Sequence, residues 1–393
     1  MKKLTVKKEA ERKLKKGYLW VHRNWVRNLD GIKPGEEAEV YSERGVFLGS
    51  AYVNPDSLIT ARIYSHSREP LTRELIKRRL EDAFSLRKKL NINSDAFRIF
   101  YSESDGLPGL IIDKYRDVVV FQILTLGLEL KREFILQAIE EVLSPQAIVE
   151  RKDASGRILE GLGKEEPSIV KGAHIIPEGK VVVSENGILF EVDVLKGHKT
   201  GHYLDQRENR KRVAELCRGF SVLDCFCNTG GFSIYCAKEG AKDVIAIDIS
   251  SYMLELALKN AELNGVDNAI TFVKGNVFDE LRNLEKRGKK FDMVILDPPS
   301  FTKSKKTLKN ALKGYKEINL RGIKLLKRGG ILVTASCSHH VVLDVFLETI
   351  TSALKDAKRE GKILEIRFQA PDHPFLAQMP ETLYLKLVIM EIL

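Results

Sequence analysis

The sequence is poor in cysteine, tryptophan and glutamine and has no long apolar run. No stretch approaches the roughly 18 to 20 apolar residues that a bilayer-spanning helix needs, so no membrane partner is expected. The basic N-terminus lacks the apolar segment of a signal peptide, which makes a cytoplasmic location the expectation. The cysteines (Cys217, Cys225, Cys227, Cys236 and Cys337) are too few and too clustered for a secreted disulfide framework. No pair has zinc-knuckle spacing and no His pair stands nearby in ligand register, so no metal is expected. Internal repeats and low-complexity tracts are absent. Only six glutamines stand beside 64 basic and 54 acidic residues, a balance found on the charged surfaces of thermophile proteins. The net charge of +10 favours a polyanionic partner without identifying one.

A chain of 393 residues exceeds one ordinary core, so two or three domains are expected. Residues 1–70 read as a small β-rich domain, with strand-like runs separated by Lys33-Pro34-Gly35, Arg44-Gly45 and Asn54-Pro55-Asp56. Trp20 and Trp25 lie there among Lys13, Lys15, Lys16, His22, Arg23 and Arg27. Such aromatics can stack on bases, or they can be the core of a small barrel. Residues 72–188 read as a small central α+β domain, with helices over 72–92 and 130–143. From residue 189 to 393, strands alternate with helices, the sign of an α/β parallel sheet with crossovers.

Chemistry-bearing groups stand at the ends of these strands. Val222-Leu223 leads into Asp224-Cys225-Phe226-Cys227-Asn228-Thr229-Gly230-Gly231, an order of strand, glycine loop and helix. It is not the Gly-x-Gly-x-x-Gly of a dinucleotide fold. Asp248 ends the next strand, where a carboxylate can accept both hydroxyls of a ribose. Together the two strand-end acids and the glycine loop point to an adenosine-containing cofactor. Met293-Val294-Ile295-Leu296 runs into Asp297-Pro298-Pro299-Ser300-Phe301, where two prolines stiffen the loop into a wall for a flat base or make a solvated turn. Ile331-Leu332-Val333 leads to Ser336-Cys337-Ser338. Cys337 is either a nucleophile or a small strand-end residue that packs well.

Taken together, these motifs resemble one RNA-modifying family. Lys199-Thr200-Gly201-His202-Tyr203-Leu204-Asp205-Gln206-Arg207 and Asp372-His373-Pro374 share the resemblance. The family is the class I S-adenosylmethionine-dependent large-subunit (23S) ribosomal RNA cytosine-5 methyltransferases with an N-terminal PUA domain. The resemblance covers essentially the whole chain. It implies a β-barrel-like PUA domain, a small central α+β domain and a C-terminal Rossmann-like class I methyltransferase domain. It implies S-adenosyl-L-methionine as cofactor and 23S ribosomal RNA as partner, and it leaves room for a homodimer. On the same basis Asp224, Phe226, Thr229 and Gly230 would line the methionine and sugar end of the cofactor. Asp248 would hold the ribose with Ser250 nearby, and Asn276 and Val277 would flank the adenine. Tyr203 and Gln206 would close the site, and Asp297 would lie between the sulfonium and the target base.

Carbon methylation of cytosine explains the cysteine. Carbon 5 becomes nucleophilic only after a thiolate has added at carbon 6, so one hard step is split into easier ones. The thiol must be ionised, and His339 and His340 are the neighbours in sequence that could help. Asp297 suits the amino or ring-nitrogen edge of cytosine. The chain departs from many cytosine-5 RNA enzymes in one respect: it has Pro298-Pro299-Ser300 where they carry a Pro-Cys-Ser motif. The base that removes the carbon-5 proton is therefore not assigned. Two alternatives stay open: methylation of a guanine or adenine amine with a structural Cys337, and a non-catalytic RNA-binding assembly factor.

Overall fold

The computed structural model describes residues 1–29, 31–302 and 305–393, and the statements below concern those residues. It forms two compact units. The first takes 1–183, 192–204 and 371–382; the second takes 184–191, 205–370 and 383–393.

In the first unit a six-stranded sheet runs in the order Trp20–His22, Ile59–Ser65, Phe47–Val53, Glu37–Ser42, Lys2–Val6 and Val26–Asn28. Apolar residues alternate inward along Glu37–Ser42, with Ala38 and Val40 fully buried. The two tryptophans belong largely to this core. Trp25 is 5% exposed with the Lys13 ammonium 4.9 Å from its ring centre, and the Trp20 indole donates to Glu103 at 2.9 Å. Trp25 is thus a packing residue, while Trp20 is only partly buried against the same core.

A five-stranded sheet follows, ordered Ser168–Lys171, Ala147–Glu150, Val118–Ile123, Leu110–Tyr115 and Ala96–Tyr101. The helices Arg73–Lys89 and Arg132–Leu143 cover it with Leu75, Leu80, Ile135 and Ile139. The helix expected over 130–143 forms as Arg132–Leu143, and a separate short helix, Leu126–Glu129, precedes it, with Lys131 out of helical geometry between them. Gly127 in the short helix lies against Tyr52, whose Cβ would be 2.3 Å from any added side chain.

Two family-like motifs act as stays in this unit. Thr200 donates to Asp113 at 2.6 Å, and Asp113 forms a two-pronged, buried ion pair with Arg98. Asp372 accepts the Arg98 backbone N–H at 2.8 Å, and its carbonyl accepts from Arg87 at 2.9 Å. Buried ions paired this fully avoid the large desolvation cost of an isolated charge.

The second unit is an α/β sandwich. Its strands are β1 (Ser221–Cys225), β2 (Asp243–Asp248), β3 (Ile270–Lys274), β4 (Phe291–Leu296), β5 (Leu326–Ser336), β6 (Gly361–Arg367) and β7 (Lys386–Ile392). Its helices are α1 (Arg207–Ala214), α2 (Gly231–Lys238), α3 (Ser251–Leu263), α4 (Val277–Lys286), α5 (Leu308–Leu325) and α6 (Leu343–Ala357). The sheet order is β3-β2-β1-β4-β5-β7-β6. The strands β1 to β5 are parallel, and β7 is antiparallel to both β5 and β6. Strand order reverses at β1 and β4, and open α/β sheets bind ligands at the carboxyl ends beside such a reversal. Near-continuous apolar runs account for the burial of the central strands on both faces, as in β4, where Met293 to Leu296 are 0% exposed.

Candidate active site

The loop after β1 is built on left-handed backbone. Phe226, Asn228 and Gly230 have φ of +65°, +50° and +80°. Only glycine adopts this conformation freely, and a non-glycine residue so placed costs on the order of 1–3 kcal/mol. Hydrogen bonds hold the loop: Cys227 N–H to the Ile247 carbonyl (3.0 Å), Gly230 N–H to the Cys227 carbonyl (2.8 Å) and Asn228 N–H to Asp248 Oδ2 (2.9 Å). Gly231 is needed for another reason, because a Cβ there would lie 2.8 Å from the Arg210 side chain. Arg210 is itself buried and paired to Glu185 at 2.7 Å.

Asp224 is 1% exposed. Its Oδ2 accepts from the Ser233 N–H (3.1 Å) and hydroxyl (2.6 Å), while its buried Oδ1 has no hydrogen-bond partner. Burial pushes the carboxyl up to about 7; the Ser233 bonds oppose this, and the Asp297 and Asp248 charges add to it. An orphaned buried acceptor beside a strained loop fits a ligand that brings a cation or an N–H group, such as the amino-acid end of the sulfonium cofactor.

Asp248 ends β2 with both oxygens oriented, Oδ1 by Ser250 N–H and Oδ2 by Asn228 N–H, each at 2.9 Å. Each oxygen keeps a second lone pair, which suits a pair of ribose hydroxyls. The Ser250 hydroxyl caps α3 by accepting from Met253 N–H at 3.3 Å. Thr229 is buried and its carbonyl accepts from Asn260 at 3.2 Å; Val277 is buried as the first residue of α4. Asn276 caps α4: its side-chain oxygen accepts from Phe278 N–H at 3.0 Å and keeps a second lone pair. Replacing it with Ala should lower stability by about 1 kcal/mol, the usual cost of a lost N-cap, as read by chemical denaturation.

Asp297 follows β4 directly, and its Oδ2 accepts from Gln206 Nε2 at 3.0 Å. Gln206 is 2% exposed, and its own oxygen accepts from Asn209 at 2.6 Å, which fixes the amide's direction. Tyr203 belongs to the first unit, where its hydroxyl lies 3.2 Å from the His198 ring and the Lys199 ammonium stands over its own ring.

Cys337 is the half-buried thiol among five cysteines; the other four are buried. It follows β5, and its Sγ faces the Pro298 carbonyl at 3.9 Å. The Ser300 and Ser338 hydroxyls are 2.9 Å apart, which ties the Asp297 loop to the Cys337 loop. Behind them the Tyr315 hydroxyl, on α5, meets Ser338 at 2.9 Å and Ser336 at 3.1 Å. Phe301, which follows the two prolines, packs with its ring centre 4.7 Å from that of Tyr315. The strand-end groups Asp224, Asp248 and Asp297 and the Cys337 loop thus share the carboxyl edge of one sheet. His339 is exposed and lies 5.4 Å from the Tyr384 ring. The buried cation beside Cys337 is Lys386, which sequence proximity did not suggest; its signal is a lone lysine opening the apolar run Leu387-Val388-Ile389-Met390.

No helix among the described residues is long and apolar enough to cross a membrane, and no cluster of metal-ligand type is present among them.

A family described as S-adenosylmethionine-dependent methyltransferase matches residues 173–373, and a PUA-like domain matches 4–66. A Shewanella denitrificans protein named ribosomal RNA large subunit methyltransferase I is 39% identical over 98% of each chain. Its namesake in Aeromonas hydrophila is 40% identical over 96% of each. A solved Streptococcus mutans structure, described as a SAM-dependent methyltransferase, is 25% identical, with a TM-score of 0.88 and full coverage of both chains.

Proposed function

The chain belongs to the S-adenosylmethionine-dependent methyltransferase family, and from that premise we propose that it forms 5-methylcytosine in 23S ribosomal RNA through a Cys337–cytosine adduct. S-adenosyl-L-methionine is the methyl donor, supplying an electrophilic methyl group. The large-subunit RNA substrate is supported by the names of the Shewanella and Aeromonas relatives, and such a substrate implies action in the cytoplasm. The net charge of +10 suits it.

One observation carries the carbon-methylating reading. The single half-buried thiol is tied, through Ser300 and Ser338, to the loop that bears Asp297. The Cys337 thiolate adds to carbon 6 of the base. Asp297, steered by Gln206, faces the amino and ring-nitrogen edge and steadies the charge that develops there. Asp224 and Asp248 hold the two ends of the donor. Loss of the carbon-5 proton then expels the thiolate. Residues 1–70 would act as an RNA-binding domain, 72–188 as a central spacer and 189–393 as the catalytic domain, alone or as a homodimer.

The test is nucleoside mass spectrometry of large-subunit RNA methylated in vitro and of RNA from cells with and without the gene. 5-Methylcytidine is expected. An N-methylated purine appearing in its place overturns the reading, as does the absence of any methylated product.

A further inference from the structure

We propose that Lys386 pairs with the Cys337 thiolate and is a positioning residue for the nucleophile. The inference rests on the reading of Cys337 given above.

Antiparallel pairing of β5 with β7 sets Lys386 opposite Ser336, the residue just before Cys337. The ammonium donates to the carbonyl of Ser338, just after Cys337, at 2.9 Å and to the Tyr384 carbonyl at 2.8 Å. Lys386 thus spans the turn that carries the thiol. It is 3% exposed, and no carboxylate lies within ion-pair distance of it among the described residues. A buried ammonium held only by neutral carbonyls is costly, and such sites are usually retained for function. Burial lowers this lysine to about 8, and a negative charge on Cys337 is what opposes the drop.

Among the described residues, the titratable and charged groups packed nearby have partners of their own. Tyr384 has its hydroxyl on Asp205, His339 lies against the Tyr384 ring, Tyr315 bonds to Ser336 and Ser338, and Arg367 on β6 pairs with Glu365. When the Cys337 S–H ionises, its proton leaves to solvent and the ammonium stays charged. The same contact explains how the turn keeps one position while the thiolate forms and is expelled. A cationic neighbour of this kind lowers a thiol below its free value of about 8.5.

The experiment is alkylation of Cys337 by iodoacetamide in the full-length protein, followed by peptide mass spectrometry from pH 5.5 to 10. Lys386→Met and Lys386→Gln should move the alkylation midpoint up by about one pH unit or more, so alkylation at pH 7 slows roughly tenfold. Lys386→Arg should restore most of the reactivity. The methylation kcat of the Met and Gln variants should fall with little change in KM for the methyl donor. A retained donor-induced rise in Tm identifies the folded variants. Coincident alkylation profiles overturn the proposal. So does a wild-type midpoint at or above about 8.5, which needs no variant. If the profiles shift but Cys337→Ala still methylates, the ion pair stands and the nucleophile assignment falls. If Cys337→Ala is dead and the profiles coincide, only the role of Lys386 falls.

Discussion

Cys337→Ala should abolish methyl transfer while leaving donor binding intact. Removal of a covalent nucleophile can cost on the order of 10⁶-fold in kcat, so residual activity should sit near background. The effect separates two chemistries rather than two rates. An enzyme that methylates an exocyclic amine needs no thiolate and would lose little. A 5-fluorocytidine-containing RNA supplies the complementary readout, since carbon 5 then has no proton to lose and the adduct cannot resolve. Wild-type protein should form a denaturant-stable complex with that RNA, and Cys337→Ala should not. Substantial methylation by the Ala variant would move Cys337 to the packing role that its strand-end position also allows. Cys225 and Cys227 offer no substitute, because burial raises both thiols well above the ordinary value.

How much of this site the sequence announced depends on how local each interaction is. Asp224, Asp248 and Asp297 were legible because each ends an apolar run, and parallel strands place their carboxyl ends together. The same logic located Cys337. Lys386 was not legible: it reaches the thiol turn only because the last strand inserts antiparallel beside β5, a pairing with no local signature. The Tyr315 hydroxyl was hidden for a similar reason, since it reports α5 packing beneath two loops. Asn276 is legible by its possible ligand, and the structure adds that its side chain also satisfies an open helix end, a contact only two residues away. Thr200 and Asp372 were found with functional motifs and turned out to brace the first unit through Asp113 and Arg98. Motif membership, therefore, did not distinguish a residue that meets a ligand from one that holds the scaffold.

Asp224→Asn should stabilise the ligand-free protein and cripple donor binding at once. The folded carboxyl lies at about 7, above the ordinary value near 3.9. Between those two values the folded state therefore binds more protons than the unfolded chain. Stability contributed by this group falls as pH rises from about 4 to 7, and the whole penalty is present above 7. A gap of this size corresponds to at most about 4 kcal/mol at pH 8. The amide removes the ionisation but keeps an oxygen to accept the two Ser233 bonds. Denaturation should show the Asn variant more stable at pH 8 and nearly equal to wild type near pH 4.5. Donor affinity should move the other way. The orphaned Oδ1 is an acceptor held ready for a donor group, and a hydrogen bond to a charged group is worth about 1.5–3 kcal/mol. Calorimetry should therefore find binding weakened on the order of 10- to 100-fold at pH 8. Wild-type affinity should itself decline below pH 7 as Asp224 takes up its proton. A variant that binds the donor normally, or that gains no stability at pH 8, would show that the carboxylate is not kept in its buried, charged state for the ligand's sake.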